Sequence, residues 1–177
     1  MSILKVARLG HPVLRRTAGI LPKDRIHAAE IQKLIDDMIG TMKEYDGVGL
    51  AAVQVHESQQ IAVLEVADNP RYPQKPSVPL TVLINPQITP VSDEMEEDWE
   101  GCLSIPDLRG RVPRHKDIRV QAVDRSGRDL DFAASGFHAR VIQHEWDHLQ
   151  GNVYLDRMKD LLTLTYTLEL ARYWTNK

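Results

Sequence analysis

A helical spacing of apolar residues is the clearest pattern in the first third of the chain. Between residues 26 and 43, apolar residues recur three and four positions apart, at Ile31, Leu34, Ile35, Met38, Ile39 and Met42. This spacing puts them on one face and predicts an amphipathic helix. We expect Gly47 to end this helix by adopting a left-handed conformation.

Alternation of apolar and polar residues predicts β-strands in the middle of the chain. The predicted strands are 60–66, 81–85, 87–91, 117–124 and 129–132. Pro86 separates the second from the third, and the last two form a hairpin across a turn at 125–128. The proline-rich stretch 68–79 predicts a surface loop, and the acidic run 93–98 predicts a solvated turn.

The last third combines one clear helix with an ambiguous tail. Residues 135–149 start with Ser135 in the N-cap position and precede Gly151, so they predict a helix. Over 162–170, leucine or tyrosine alternates with threonine or glutamate, which favours a strand. A helix stays open as the second interpretation, because four apolar residues also have helical spacing, namely Leu161, Leu164, Leu168 and Ala171.

Length, charge and cysteine content narrow the class of protein. The 177 residues, 42% of them hydrophobic, suit one domain spanning 1–177. The formal charge of −3 offers no overall attraction to nucleic acid or to an anionic membrane. The chain has no apolar run of about 20 residues and its start lacks the build of a signal peptide, so we expect a cytoplasmic protein. A single cysteine, Cys102, excludes an internal disulfide.

Candidate metal chemistry lies at residues 143–148, which read QHEWDH and contain the pattern HExxH. His144 and His148 share one face of the predicted helix and can bind one metal ion. Glu145 projects roughly 100° further round the helix, beside the water that such an ion would hold. That position suits a general base.

The third metal ligand has several candidates. A metzincin is excluded because Tyr154 stands where the extended HExxH pattern requires histidine. A zinc metalloprotease of the thermolysin kind would use a downstream glutamate, and Glu169 is available. Cys102 offers a thiolate, which binds divalent transition metals strongly. A closed, non-catalytic site would add a fourth protein ligand, such as His138.

Residues 47–54, GVGLAAVQ, match the glycine fingerprint of dinucleotide-binding proteins, and Asp68 follows about 20 residues later. That fingerprint requires a preceding strand and a following helix, whereas a helix precedes it here. We therefore favour another use. Gly47 and Gly49 would let the backbone pass close to another group, and Gln54 would present its amide beside that approach.

Three motifs together resemble those of the peptide deformylases, which have the forms G-x-G-x-A-A-x-Q, E-G-C-x-S and Q-H-E-x-D-H. This chain carries them in that order at 47–54, 100–104 and 143–148. The resemblance runs from the N-terminal arm to about Met158 and is lost around 68–79 and in the tail. It implies an α+β fold with mixed, mainly antiparallel sheets around a central metal-binding helix.

The same resemblance implies an activity and a metal site. The activity is hydrolytic removal of the formyl group from N-formylmethionine at the start of newly made polypeptides, which releases formate. The ligands would be Cys102, His144 and His148, with the fourth position open to water. Fe²⁺ is the characteristic ion, and Zn²⁺ or Ni²⁺ can replace it.

Individual roles follow from the resemblance as expectations. Glu145 would be the general base, and the Gln54 amide and the Leu103 N–H would stabilise the oxyanion. Contacts with the substrate are expected from Gly49, Val48, Glu100, Arg109, Phe137 and Val141. The expected partners are N-formylmethionyl nascent peptides and, as a candidate, the ribosome near its exit tunnel, with no membrane and no sequence-specific nucleic acid. A bacterial-type cytoplasmic location is expected, or an organelle if a transit segment has been removed.

Overall fold

The computed structural model describes residues 2–67 and 76–174. Its helices are α1 (Ala29–Glu44), α2 (Gly136–Leu149) and α3 (Thr167–Tyr173). Its strands are β1 (Gly49–Ala51), β2 (Ile61–Val66), β3 (Val78–Pro90), β4 (Met95–Cys102), β5 (Ile105–His115), β6 (Asp117–Val123), β7 (Asp129–Ser135) and β8 (Thr165–Tyr166). Short 3₁₀ turns lie at Pro12–Arg15, Lys23–Arg25, Ala52–Val55 and Tyr154–Arg157. Asp68 and most of the predicted proline-rich loop lie outside the described residues.

The strands form two antiparallel sheets. The larger has the order β1-β2-β3-β6-β7 and the smaller the order β4-β5-β8. Helix α2 contacts strands of both sheets, including β1, β2 and β7 of the larger and β5 of the smaller. The predicted α+β fold around a central helix is confirmed. Within 2–67 and 76–174, no helix is long and apolar enough to cross a bilayer.

The two long helices pack on opposite faces of the larger sheet. On β2, Ile61 and Val63 join the apolar cluster of α1, whereas Leu64 and Val66 join the cluster of α2. Alternating side chains of a strand point to opposite faces, so a strand covered on both sides is apolar throughout. This arrangement buries the HExxH residues between sheets, and His148 has no exposed surface.

The predicted helices at 26–43 and 135–149 are present, but the first ends differently from our expectation. Helix α1 stops at Glu44, and the left-handed residue is Asp46, with φ of 51°, not Gly47. Gly47 serves a close contact instead, because a Cβ atom there would lie 3.0 Å from Leu103 Cδ1. The second helix ends as predicted, with Gly151 at φ of 79° after Leu149.

Three predictions about strands and turns need correction. The strands predicted at 81–85 and 87–91 are one strand, β3, which ends at Pro90. Its register shifts between Ile84 and Gln87 and accommodates Pro86. The acidic run 93–98 is only partly a turn, because Met95 already begins β4. The tail is not a strand over 162–170. Strand β8 has two residues, and α3 follows directly, so Glu169 lies in a helix.

The N-terminal arm ties two predicted motifs together. The Ala7 N–H donates to the Gln54 carbonyl at 2.7 Å, and the Leu9 N–H donates to the Ser104 carbonyl at 2.9 Å. Between them, Arg8 donates from Nη1 to the Leu103 carbonyl at 3.3 Å. The arm therefore holds the Gln54 turn beside the β4–β5 turn.

Candidate metal centre and active site

Three potential metal ligands from β4 and α2 converge inside the fold. Ligand atoms of Cys102, His144 and His148 all lie within 4.8 Å of one another. Cys102 Sγ is 3.2 Å from His148 Nε2, and the imidazole rings of the two histidines are 5.0 Å apart. One thiolate and two imidazoles fit a divalent transition metal and leave a fourth position open. These three donor groups therefore fit a catalytic metal site.

A tight hairpin places the thiol. Strand β4 ends at Cys102 opposite Ile105, so Leu103 and Ser104 form the turn into β5. The Ser104 N–H donates to Cys102 Sγ at 3.4 Å. Gln54 Nε2 approaches the same sulfur at 3.5 Å and donates to Ser104 Oγ at 3.1 Å. Gln54 and the turn of Leu103 are thus neighbours on one side of the metal position.

The electrostatic environment of Cys102 favours its ionised form. Burial alone would raise the pKa of this thiol, but His148 and His144 beside it lower the pKa well below its ordinary value. A thiolate is the form that binds a metal.

A buried ion-pair network orients His144. Glu100 Oε2 lies 2.9 Å from His144 Nδ1, which leaves Nε2 facing the metal position. Glu100 also accepts hydrogen bonds from Arg114 at 2.9 and 3.0 Å and from Arg140 at 2.8 Å. Burial would raise the pKa of Glu100, but Arg114 and His144 lower it well below the usual range. Glu100 therefore remains an anion.

Asp147 extends this network to Arg157, in the 3₁₀ turn that follows α2. It accepts from Arg114, and from Arg157 at 2.7 Å. Sequence reasoning did not single out Arg114, Arg140, Ser104 or Asp147. Asp147 and Ser104 carried a signal, because they lie inside the 143–148 and 100–104 motifs, whereas Arg114 and Arg140 carried none.

Glu145 occupies a different environment from Glu100. Burial raises the pKa of Glu145 to about 7, against the lowering effect of His144 and His148. Its Oε2 atom is buried without a hydrogen-bond partner among the described residues. A Cβ atom at Gly49 would lie 2.3 Å from Glu145 Oε1, so β1 passes against this carboxylate. A carboxylate with a pKa near neutrality and an open oxygen suits proton transfer.

A small cavity adjoins these groups. Its volume of about 40 Å³ corresponds to about three or four water-sized positions, enough for a narrow unbranched side chain. It is lined by apolar residues and by members of the site, including Val48, Gly49, Gln54, Trp99, Glu100, Cys102, Leu103, Phe137, Val141, His144 and Glu145. Sequence reasoning did not single out Trp99.

The remaining candidates lie elsewhere. Arg109 and Glu169 line a neighbouring wide groove of about 800 Å³. Arg109 lies across Gly101, where a Cβ atom would be 1.5 Å from its Nη1. Glu169 pairs with Arg172 at 3.1 Å and does not join the ligand cluster, and the His138 ring stacks on Phe132.

Comparison with known proteins decides the family. The family model described as polypeptide deformylase matches residues 3–163. The chain belongs to the polypeptide deformylase family. Peptide deformylase 1 of Bordetella pertussis is 48% identical over 162 residues, which are 92% of this chain and 91% of that protein. Peptide deformylase 1 of Nitrosomonas europaea is 48% identical over 165 residues, 93% of each chain.

Solved deformylase structures agree with this assignment. The class I type b peptide deformylase of Acinetobacter baumannii bound to Met-Ala-Ser has a TM-score of 0.86 and 38% identity, covering 89% of this chain and all of that one. The peptide deformylase of Thermotoga maritima has a TM-score of 0.78 and 36% identity, covering 90% of this chain and 100% of that one.

Family membership settles the class of reaction. This deformylase is a metal-dependent hydrolase that removes the N-formyl group from nascent peptides. The alternative of an HExxH metalloprotease with Glu169 as third ligand is not supported. Residues 47–54 follow helix α1 and include β1 and a 3₁₀ turn, so they lack the preceding strand and following helix that the dinucleotide fingerprint requires.

Proposed function

We propose that this deformylase acts on N-formylmethionyl peptides through one cation held by Cys102, His144 and His148. The observation that carries the proposal is the convergence of these three ligand groups beside the open Oε2 atom of Glu145. Residues 1–177 form one metallohydrolase domain in this proposal. Fe²⁺ is the native ion proposed, and Zn²⁺ or Ni²⁺ suits the same ligands.

The bound cation supplies Lewis acidity, lowering the pKa of water and stabilising negative charge on a carbonyl oxygen. Glu145 takes a proton from the attacking water, whose oxygen bonds to the formyl carbon. The carbon–nitrogen bond then breaks, and Glu145 returns the proton to the departing amine. The products are formate and a peptide with a free amino terminus.

Two donors of the chain are proposed to stabilise the oxyanion. One is Gln54, whose Oε1 accepts from the Ala51 N–H at 2.8 Å, so that its Nε2 is directed toward Cys102. The other is the Leu103 N–H in the hairpin turn. Donors fixed before the reaction lower the barrier because they need not reorganise as charge develops.

The substrate is proposed to bind between β1 and the small cavity. Val48, Phe137 and Val141 would contact the methionine side chain, an unbranched thioether that suits a narrow apolar cavity. Gly49 lies in β1, an edge strand of the larger sheet, which could add the peptide backbone as a further strand. Glu100 would act through His144, and Arg109 would lie along the exit of the peptide.

The Acinetobacter baumannii relative was solved with the peptide Met-Ala-Ser, which supports a peptide substrate for this chain. Nascent chains are accessible where they leave the ribosome, so the ribosome near its exit tunnel is the proposed partner. The proposed location is the cytoplasm.

Paired variants test the ligand set and the base. Cys102→Ser should lose the metal and formate release from formyl-Met-Ala, whereas Glu169→Ala should keep both. Glu145→Gln should keep the metal and lower kcat by at least ~10²-fold. Metal content and formate release are measured on the same samples. Metal loss in Glu169→Ala, or near-normal turnover in metal-loaded Glu145→Gln, would overturn the proposal.

A further inference from the structure

The tail after residue 163 builds one side of the wide groove beside the metal centre. The family model ends at residue 163, whereas β8 and α3 follow it. Tyr166, Thr167, Leu168 and Glu169 of this tail line the groove. One wall of the groove is therefore made by residues 166–169, which follow the region that the family model matches.

Several contacts fix the tail against the smaller sheet. Strand β8 pairs with β5, with Tyr166 opposite Leu108. The Thr167 hydroxyl donates to the Asp107 carbonyl at 3.2 Å. At the other end of α3, the Trp174 ring meets the Trp99 ring edge to face, with centroids 5.4 Å apart. The wall is therefore part of the folded structure.

The groove is continuous with the active site. Cys102 and Leu103 line both the small cavity and the groove. A peptide whose first side chain fills the small cavity would therefore continue into the groove. The volume of about 800 Å³ leaves room for more than one residue.

The lining of the groove is apolar with balanced charges. Leu168 is 72% exposed, Tyr166 64% and Tyr45 41%, so large apolar surfaces face the open groove. The charged side chains of the lining are two arginines and two acids, namely Arg8, Arg109, Asp107 and Glu169. Their formal charges cancel, so the groove has no net charge with which to favour an acidic or a basic peptide.

We propose that β8 and α3 form a subsite for the residues that follow formylmethionine, and that this subsite favours apolar side chains there. The inference rests on the proposed function, because it assumes that the formylmethionine is held at the metal centre. Apolar residues of the peptide would cover Leu168, Tyr166 and Tyr45, which releases water from both surfaces.

The test compares kcat/KM for formyl-Met-Leu-Leu with kcat/KM for formyl-Met-Ser-Ser. The parent enzyme should prefer the first by about five-fold or more. Leu168→Ser should remove most of this preference, and Leu168→Met should retain it. Leu162→Ser is the matched control, since Leu162 is in the same tail, is 85% exposed and does not line the groove.

Equal kcat/KM values for the two peptides in an active parent enzyme would overturn the subsite alone. The same preference in the parent and in Leu168→Ser would also overturn it. Loss of the preference in Leu162→Ser as well would also overturn it, because the effect would then not belong to the groove. No formate from either peptide with metal-loaded parent enzyme would instead overturn the proposed function and the subsite with it.

Discussion

At the scale of single residues, two buried glutamates have opposite environments. Glu100 accepts from Arg114, Arg140 and His144, which keeps it ionised. Glu145 has one oxygen without a partner among the described residues, and burial raises its pKa to about 7. The first suits a fixed support for a metal ligand, and the second suits a group that gains and loses a proton.

Replacement of Glu100 should affect the metal more than the fold. Glu100→Gln keeps the shape but removes the negative charge beside His144, so metal affinity should fall by about 10- to 100-fold. Competition with a chelator measures the affinity. The control is Glu96→Gln, an exposed position on the same strand, which should bind metal normally. Unchanged affinity in Glu100→Gln would contradict a role in holding His144.

Gly49 should be needed for full activity, because β1 passes against the Glu145 carboxylate at this residue. In Gly49→Ala the new methyl group would lie 2.3 Å from Glu145 Oε1, so the carboxylate must move. We expect kcat to fall by about 10- to 100-fold in the metal-loaded enzyme, because small displacements of a catalytic group are costly. Steady-state kinetics measure it. Gly19→Ala is the control, because its Cβ atom would lie 3.4 Å from the nearest atom, the Ser58 carbonyl oxygen. A normal kcat in Gly49→Ala as well would contradict the prediction.

The motifs indicated which residues would meet at the candidate site, but not the arginines that hold those residues in place. His144 and Glu145 could be assigned to a candidate site from residue type and spacing, and Cys102 from the resemblance that the three motifs carry. Arg114 and Arg140 could not, because the partner of a buried charge is set by strand register and helix packing. Neither residue differs in sequence from an ordinary surface arginine.

At the scale of elements, the β6–β7 hairpin depends on Asp124. Its carboxylate accepts four hydrogen bonds of 2.7 to 3.0 Å from Ser126 and Arg128. Burial would raise the pKa of Asp124, but these bonds lower it well below the ordinary value. Because the pKa is lower in the folded state, the stabilisation is present above about pH 4 and is lost as the pH falls.

Asp124→Asn should therefore lower the free energy of unfolding by about 1 kcal/mol at pH 7. The difference from the parent should shrink below about pH 4, because protonation weakens the same bonds in the parent. Urea unfolding at both pH values measures it. Asp129→Asn, at a 77% exposed side chain in the same hairpin, should change little at either pH. A difference that grows on acidification would refute the assignment.

The tail shows where a pattern of elements misleads. Alternation over 162–170 favoured a strand, yet only Thr165 and Tyr166 pair with β5. The alternating leucines do not mark a core face, since Leu162 and Leu168 are exposed and Leu170 is buried. The two long helices followed their patterns, because burial of one helix face enforces the helical period, whereas a surface element is under no such constraint.

At the scale of the whole molecule, the cation would connect the smaller sheet to α2. A ligand that binds only the folded state stabilises it, by about 2.7 kcal/mol at a hundred times its Kd. Removal of the metal should therefore lower Tm by roughly 5 to 10 °C for a chain of this size. Calorimetry with and without chelator measures this shift. In Cys102→Ser, the chelator should change Tm very little. A shift as large as that of the parent would contradict the proposed ligand set.

The N-terminal arm has a consequence for how the enzyme is itself made. Residues 7–9 leave the ribosome first, whereas Ser104 and the histidines of α2, which complete the site, are synthesised later. Contacts between such distant segments form late, since the intervening chain must first be available. A growing chain of this enzyme could not hold its metal before α2 emerges. Metal loading would therefore wait until the N-terminal arm, the β4–β5 hairpin and α2 have all been synthesised.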